Sequence, residues 1–181
     1  MVVGSLRERS FNRQLAREAQ ALLEGRAEVA WLDFRDVPLM NQDVESPVPG
    51  PVARVRGEVV GSDGVWFFTP EYNYSYPGLL KNLLDWLSRP ADPTDRHSPS
   101  VVAGVPAAVS GAAGRSGAAG SRARLTELLG TMGMRVAEGP QLGVSLDGAA
   151  FASDELSLSP GDRDVLAAQA DALLALIAGD E

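Results

Sequence analysis

Three stretches of this 181-residue chain gather polar and aromatic side chains at spacings that suit ligand chemistry. The first is Gly4-Ser5-Leu6-Arg7-Glu8-Arg9-Ser10-Phe11-Asn12, which follows a short apolar run and opens a segment of helical period. A strand-to-helix turn of this kind leaves backbone N–H groups pointing past the sheet, where the helix dipole favours an anion. Ser5, Ser10 and Asn12 add neutral donors, and Arg7 adds a planar charged fork that suits a phosphate. Ser10 also fits a plain helix cap, but capping leaves Ser5 and Arg7 in the same turn unexplained.

The second stretch is Thr69-Pro70-Glu71-Tyr72-Asn73-Tyr74-Ser75-Tyr76-Pro77-Gly78, which holds all three tyrosines of the chain. Its prolines stiffen it, and flat rings beside backbone donors suit a planar heteroaromatic ligand. The same composition also describes a proline-rich turn with interfacial tyrosines. The third stretch, Val109-Ser110-Gly111-Ala112-Ala113-Gly114-Arg115-Ser116-Gly117, spaces its glycines G-x-x-G-x-x-G rather than G-x-G-x-x-G. That spacing fits close approach of backbone to a ligand edge better than a dinucleotide fingerprint. Lys81 is the only lysine and no Walker loop is present, so nucleoside triphosphate hydrolysis has no support.

The elements that must position these stretches alternate short apolar runs with longer helical ones, the pattern of a parallel sheet covered on both faces. Strands are expected at 1–3, 28–32, Val65–Thr69, 105–109 and 135–137. Leu15, Ala19, Leu22 and Leu23 form one helical stripe; Leu125, Leu128, Leu129 and Met132 another; Leu166, Ala170, Leu173, Leu174 and Ile177 the last. Gly25, Gly130 and Gly133 suit helix ends, and Pro160 with Asp162 and Asp164 suits a helix start. The helix over 78–87 carries Leu79, Leu80, Leu83, Leu84, Trp86 and Leu87, more apolar surface than one stripe needs. A second copy of the chain is the expected cover for Trp86 or its leucine neighbours, with a helix fully buried inside the domain as the alternative. Residues 47–51 read as a loop, and 139–158 are polar and glycine-rich without a clear period. The first two stretches then fall after the first and third strands, whose carboxyl ends meet at the switch point of a doubly wound sheet.

Composition narrows the chemistry further. With 45% apolar residues, the chain supports one core and one domain, 1–181. A net charge of −8 argues against nucleic acid as a partner. The absence of cysteine excludes disulfides, thiolate metal sites and a cysteine nucleophile. The single histidine, His97, sits in the polar run 92–99 and reads as a solvated loop residue, so a His triad or multi-histidine metal site is not expected. No signal peptide or membrane span is expected, which points to a cytoplasmic protein.

The runs GSLRERSFNRQLA and TPEYNYSYPGLLKNLLDW, in that order and spacing, resemble the NAD(P)H-dependent FMN reductases of flavodoxin-like fold, which include quinone, chromate and azo-dye reductases. The resemblance extends to about Leu176. It implies a doubly wound five-stranded parallel sheet in the order 2-1-3-4-5, with FMN as cofactor and NADPH or NADH as co-substrate. It places Ser5, Arg7, Ser10 and Asn12 at the FMN phosphate, and Pro70, Glu71, Tyr72 and Asn73 along the isoalloxazine ring. Ser110 and Gly111 would close the polar edge of that ring, their N–H groups stabilising negative charge there. No residue is expected to act as a general acid or base, because the flavin carries the hydride chemistry. Quinone-like small molecules or free flavin are the implied acceptors, and homodimers or homotetramers the implied assembly. A flavodoxin-type electron carrier without turnover is the alternative, against which Arg7 in the phosphate turn argues. Only Met1, Val2 and Val3 precede Gly4, so either residues are missing at the start or the first strand is truncated. Arg9, Arg13 and Arg115 are candidates for meeting an NADPH 2′-phosphate, though each also fits a solvated surface residue.

Overall fold

The computed structural model describes residues 1–92, 94–95 and 97–179. Within them the chain runs β1 (Val2–Val3), α1 (Phe11–Leu23), a 3-10 turn (Gln42–Val44), α2 (Gly50–Val60), β2 (Val65–Thr69), α3 (Gly78–Leu87) and β3 (Pro106–Ala113). It continues through α4 (Ala119–Thr131), β4 (Arg135–Val136), β5 (Gly143–Ser145), α5 (Gly148–Ser153) and α6 (Pro160–Ala178). All strand pairs are parallel, and every residue of β2 is buried, as a central strand covered on both faces requires.

Alternation along the strands sorts the core into two layers. Val3, Trp66, Phe68, Ala108 and Ala112 face α1 and α6, where Leu15, Ala19, Leu23, Leu166, Ala170 and Leu173 meet them. Val2, Val65, Phe67, Ala107 and Val109 face the other way, onto Val55 and Val59 of α2, the leucines of α3, and Leu125 and Leu129 of α4. The three helical stripes expected from the sequence are thus the inner faces of α1, α4 and α6. The last helix starts at Pro160 behind a reciprocal cap between Ser159 and Asp162.

The sheet order departs from 2-1-3-4-5. The observed path is β1-β2-β3-β4, with β5 also paired to β3. Segment 28–32 runs beside β1 but is not a strand: the Met1 ammonium donates to Ala30 O at 2.6 Å and Leu32 N–H to Met1 O at 2.9 Å. Two ladder residues in β1 offer too little edge for a longer pairing. At the other end, the expected strand at 135–137 shares one edge of β3 with a partner the sequence hides. β4 pairs with Pro106 and Ala107, and β5 with Gly111 to Ala113. The stretch 139–158 therefore supplies a strand and a short helix, and buries Leu142, Val144, Leu146 and Leu158 in the core.

Trp86 corrects a second expectation. It is 1% exposed, and its indole N–H donates to Pro38 O at 2.8 Å. The leucines of α3 share a cluster with Leu32, Phe34 and Val37 of the chain's own crossover, and Asn82 fixes the residues that follow through Met40 N–H and Pro38 O. Helices in a doubly wound fold usually keep a polar outer face, but here a long crossover wraps that face instead. His97 is exposed, as expected, while Pro93 and Arg96 of the same run lie outside the described residues.

Truncating this indole should destabilise the chain rather than dissociate an assembly. Trp86→Ala is expected to lower the urea midpoint at unchanged slope by the equivalent of about 3–5 kcal/mol. A loss below about 1 kcal/mol would show that the crossover does not bury the ring as described.

Candidate functional site

Gly4 joins the two sequence motifs. Its N–H donates to Phe68 O at 2.8 Å, which sets the turn at the carboxyl ends of β1 and β2. A Cβ there would lie 3.3 Å from both Pro70 Cδ and Pro77 Cγ, and 3.4 Å from Leu80 Cδ2. A side chain there would have to push both prolines back by a few tenths of an ångström, so the glycine favours this close approach of the two loops. The chain leaves β1 towards 28–32 on one side and returns to β2 on the other, so this contact sits at the switch point of the sheet.

The first loop presents donors without acceptors. Ser10 occupies the N-cap of α1 yet makes no side-chain cap, and its N–H donates to Arg7 O at 3.0 Å. The amides of Phe11, Asn12 and Arg13 consequently find no acceptor among the described residues. Ser5, buried, accepts the Arg7 N–H at 3.3 Å and keeps its own proton to donate. Arg7 lies over the Phe11 ring, 5.4 Å from its centroid, and its guanidinium is ion-paired with Asp154. Arg9 reaches the same carboxylate at 3.2 Å. Hydrogen bonding to Arg7, then the charges of Arg7 and Arg9, hold Asp154 below the usual carboxylate range. Asp154 sits at φ 59° after α5, and nothing in the sequence links it to a turn 147 residues earlier.

The second loop is a tight hairpin. Tyr72 and Ser75 exchange backbone bonds at 2.9 and 3.1 Å around Asn73 and Tyr74, both at positive φ. Asn73 tolerates that geometry better than Tyr74, and Arg124 donates to Tyr74 O to hold the turn. Tyr72 and Tyr74 are exposed and Pro70 is buried. Glu71 points away, its carboxylate accepting the Ser121 N–H at 2.9 Å in the first turn of α4. Burial pushes Glu71 up most strongly, but bonds from Ser116, Ser121 and Gly120 and the Arg124 charge together leave it below its ordinary value.

Three expected ligand groups turn out to be structural. The Asn12 amide pairs with both backbone groups of Ala112, donating to its O at 2.9 Å and accepting from its N–H at 2.8 Å. Its side chain ties α1 to β3, leaving only its backbone amide for a ligand. Ser110 and Gly111 lie inside β3 rather than in the loop after it. The Ser110 hydroxyl donates to Gln169 Oε1 at 2.7 Å and accepts from the Trp66 indole at 2.9 Å. The Gly111 N–H donates to Leu142 O at 3.0 Å. A Cβ on Gly111 would come within 2.6 Å of Thr69 O and 2.7 Å of Ala118 Cβ, so its glycine serves close packing of β3 between β2 and α4. Beyond it, an open depression of about 590 Å³ lies between the ends of β3 and β5, from Gly114 and Arg115 to Phe151. The Phe151 ring stands edge-on to Phe11 at 5.6 Å.

The sequence profile of the NADPH-dependent FMN reductase family matches residues 1–149. An NAD(P)H-dependent FMN reductase of Pseudomonas aeruginosa is 34% identical over 174 residues, 95% of this chain and 90% of that one. The chain belongs to the NADPH-dependent FMN reductase family. Membership makes it an FMN-dependent oxidoreductase that draws on NAD(P)H, and the carrier without turnover gives way to an enzyme. A 2-hydroxy-1,4-benzoquinone reductase of a Burkholderia species is 40% identical over 111 residues, a match spanning 61% of this chain and 57% of that protein. Among solved structures, the flavoenzyme NAD(P)H:(acceptor) oxidoreductase FerB of Paracoccus denitrificans superposes with a TM-score of 0.84 at 35% identity, over 98% of this chain and 95% of FerB. An archaeal flavodoxin, at 16% identity and TM-score 0.63, shares the fold alone. No helix among the described residues of this reductase is long and apolar enough to cross a membrane.

The Glu71 contact gives a pH signature. Because its folded pKa is depressed, Glu71 stabilises the fold above its ordinary value of 4.5, and that contribution fades as pH falls through the lower folded value. Glu71→Gln should therefore lower thermal stability at pH near 7 and converge with wild type well below pH 4.5. Parallel curves across that range would show that the α4 contact does not depend on charge.

Proposed function

We propose that the switch-point cleft holds FMN with its phosphate on the first-turn amides of α1, and that reduced nicotinamide and a quinone-like acceptor react there in turn. The observation that carries the reading is the uncapped start of α1, where the amides of Phe11, Asn12 and Arg13 and the Ser10 hydroxyl lack acceptors among the described residues. A dianionic phosphate satisfies these groups and meets the helix dipole. Arg7 supplies the charged fork, with Ser5 as a further donor. Pro70 and the turn through Tyr72 and Asn73 form the rigid wall for the flat ring, while Glu71 holds that wall to α4. Bound there, FMN would supply the two-electron chemistry that links oxidation of the nicotinamide to reduction of the acceptor.

What the chain contributes is position. The close contact at Gly4 fixes the distance between the phosphate turn and the ring wall, and the exposed Tyr72 and Tyr74 leave one side open to substrates. None of the side chains named here needs to shuttle a proton in the hydride step. Acceptors of quinone type are supported by the benzoquinone reductase relative, and the exposed tyrosines suit a homodimer or homotetramer as well as a substrate face. We place the enzyme in the cytoplasm. Steady oxidation of NADPH by the FMN-loaded protein with a benzoquinone, giving parallel double-reciprocal lines, tests the reading. Intersecting lines would mean that donor and acceptor occupy the enzyme together.

Arg7 and Asp154 should pull FMN affinity in opposite directions. Arg7→Ala removes a charge-assisted pair and should weaken binding by roughly 1.5–3 kcal/mol, about ten- to a hundredfold. Asp154→Asn removes a carboxylate that competes with phosphate for the same guanidinium, and should tighten binding several-fold. Flavin fluorescence quenching reads both, and equal affinities across the three proteins would remove the phosphate from this turn.

A further inference from the structure

A second cleft, of about 230 Å³, lies on the side of the phosphate turn away from the tyrosine hairpin. Ser5 and Leu6 form one wall, and Trp31, Asp33 and Arg35 the other, with Arg13 reaching in from α1. Whole-ligand pockets run to roughly 300–1,000 Å³, so this one suits the end of an extended molecule. Its charges are unevenly spent. Arg35 is committed to Asp33 through bonds of 2.9 and 2.7 Å, which hold that carboxyl well below the usual range, and Glu8 stands exposed at the rim. Arg13 makes no ion pair or hydrogen bond among the described residues; its Nε is shut off from solvent without a partner, and its guanidinium lies over the Trp31 ring at 5.8 Å. A shielded donor with no acceptor is costly to keep, and a planar cation beside an indole is suited to a phosphate that arrives with a flat group.

The co-substrate says which phosphate. NADPH, the hydride donor in the reading above, carries a 2′-phosphate close to its adenine, and arginine is the side chain that suits such a group. Of the three candidate arginines, Arg9 is held by Asp154 and Ser153 O, and Arg115 is exposed at the opposite end of the site. We propose that this cleft receives the adenosine 2′-phosphate end of NADPH, with Arg13 pairing with the phosphate and Trp31 as the flat wall beside it. The inference rests on the oxidoreductase reading above, with the phosphate turn lying between the two ligands.

Calorimetric titration of the FMN-loaded protein with 2′,5′-ADP and 5′-AMP tests it. Wild type should bind 2′,5′-ADP at least about tenfold more tightly, the loss expected for one charge-assisted pair. Arg13→Gln should erase the difference and lower the ratio of kcat/KM for NADPH over NADH by a similar factor; Arg13→Lys, which keeps the charge without the fork, should fall between. Flavin content shows that each variant is folded. Equal binding of the two probes by wild type, or a preference for 2′,5′-ADP that survives Arg13→Gln, would overturn the assignment. NADPH turnover without 2′,5′-ADP binding would overturn this cleft alone, whereas 2′,5′-ADP binding without turnover would overturn the oxidoreductase reading.

Discussion

The first turn of α1 carries backbone N–H groups that find no acceptor among the described residues, and the arrangement around the site follows from that. Every buried helix start needs partners for its leading amides. In this chain α5 and α6 carry side-chain caps, through Asp147 and through Ser159 with Asp162, while α1 to α4 start without one. Ser10 stands at the N-cap of α1, and its hydroxyl makes no cap there. The turn is therefore chemically suited to an anion, in line with the proposed cofactor site, and Asp154 answers the nearby positive charge from across the fold through Arg7 and Arg9.

Holding such a turn in place takes a buried polar frame behind it. Asn12 clamps Ala112 on β3, and Gln169 of α6 accepts from Ser110 and from the Leu142 N–H while donating to Val109 O at 2.8 Å. Trp66 joins the same set through Ser110. On the other side Thr69 bonds Ser121 at 2.7 Å, and Glu71 bonds the α4 amides. Within this frame Asn12, Ser110, Gln169, Trp66, Thr69 and Ser121 satisfy one another or the backbone, so the frame rigidifies the carboxyl edge of the sheet. The functional loops are thus set on strands and helices that cannot shift independently.

Much of this was legible in the residues. The two motif stretches, the alternating core and the stripes of α1, α4 and α6 follow from period and spacing alone. What escaped falls into two physical classes. Asn12, Ser110 and Gly111 carry groups that suit a ligand, but type does not reveal orientation, and their partners Ala112, Gln169 and Leu142 lie far away in sequence. The other class is tertiary cover: Leu32, Phe34 and Val37 join the leucines of α3 in one cluster while Pro38 accepts from the buried Trp86, and β5 takes over the edge of β3 from within a glycine-rich stretch. Three residues of strand are too few to display a period, so Gly143–Ser145 read as loop.

The most direct test of the account compares FMN with riboflavin, which shares the ring and ribityl chain but lacks the phosphate. If the α1 amides, Ser10 and Arg7 form the anchor, equilibrium titration should show FMN binding more tightly by about a hundredfold or more, since several charge-assisted bonds are lost together. Riboflavin binding as tightly as FMN would contradict the account, because the free amides at the start of α1 would then contribute nothing to holding the cofactor.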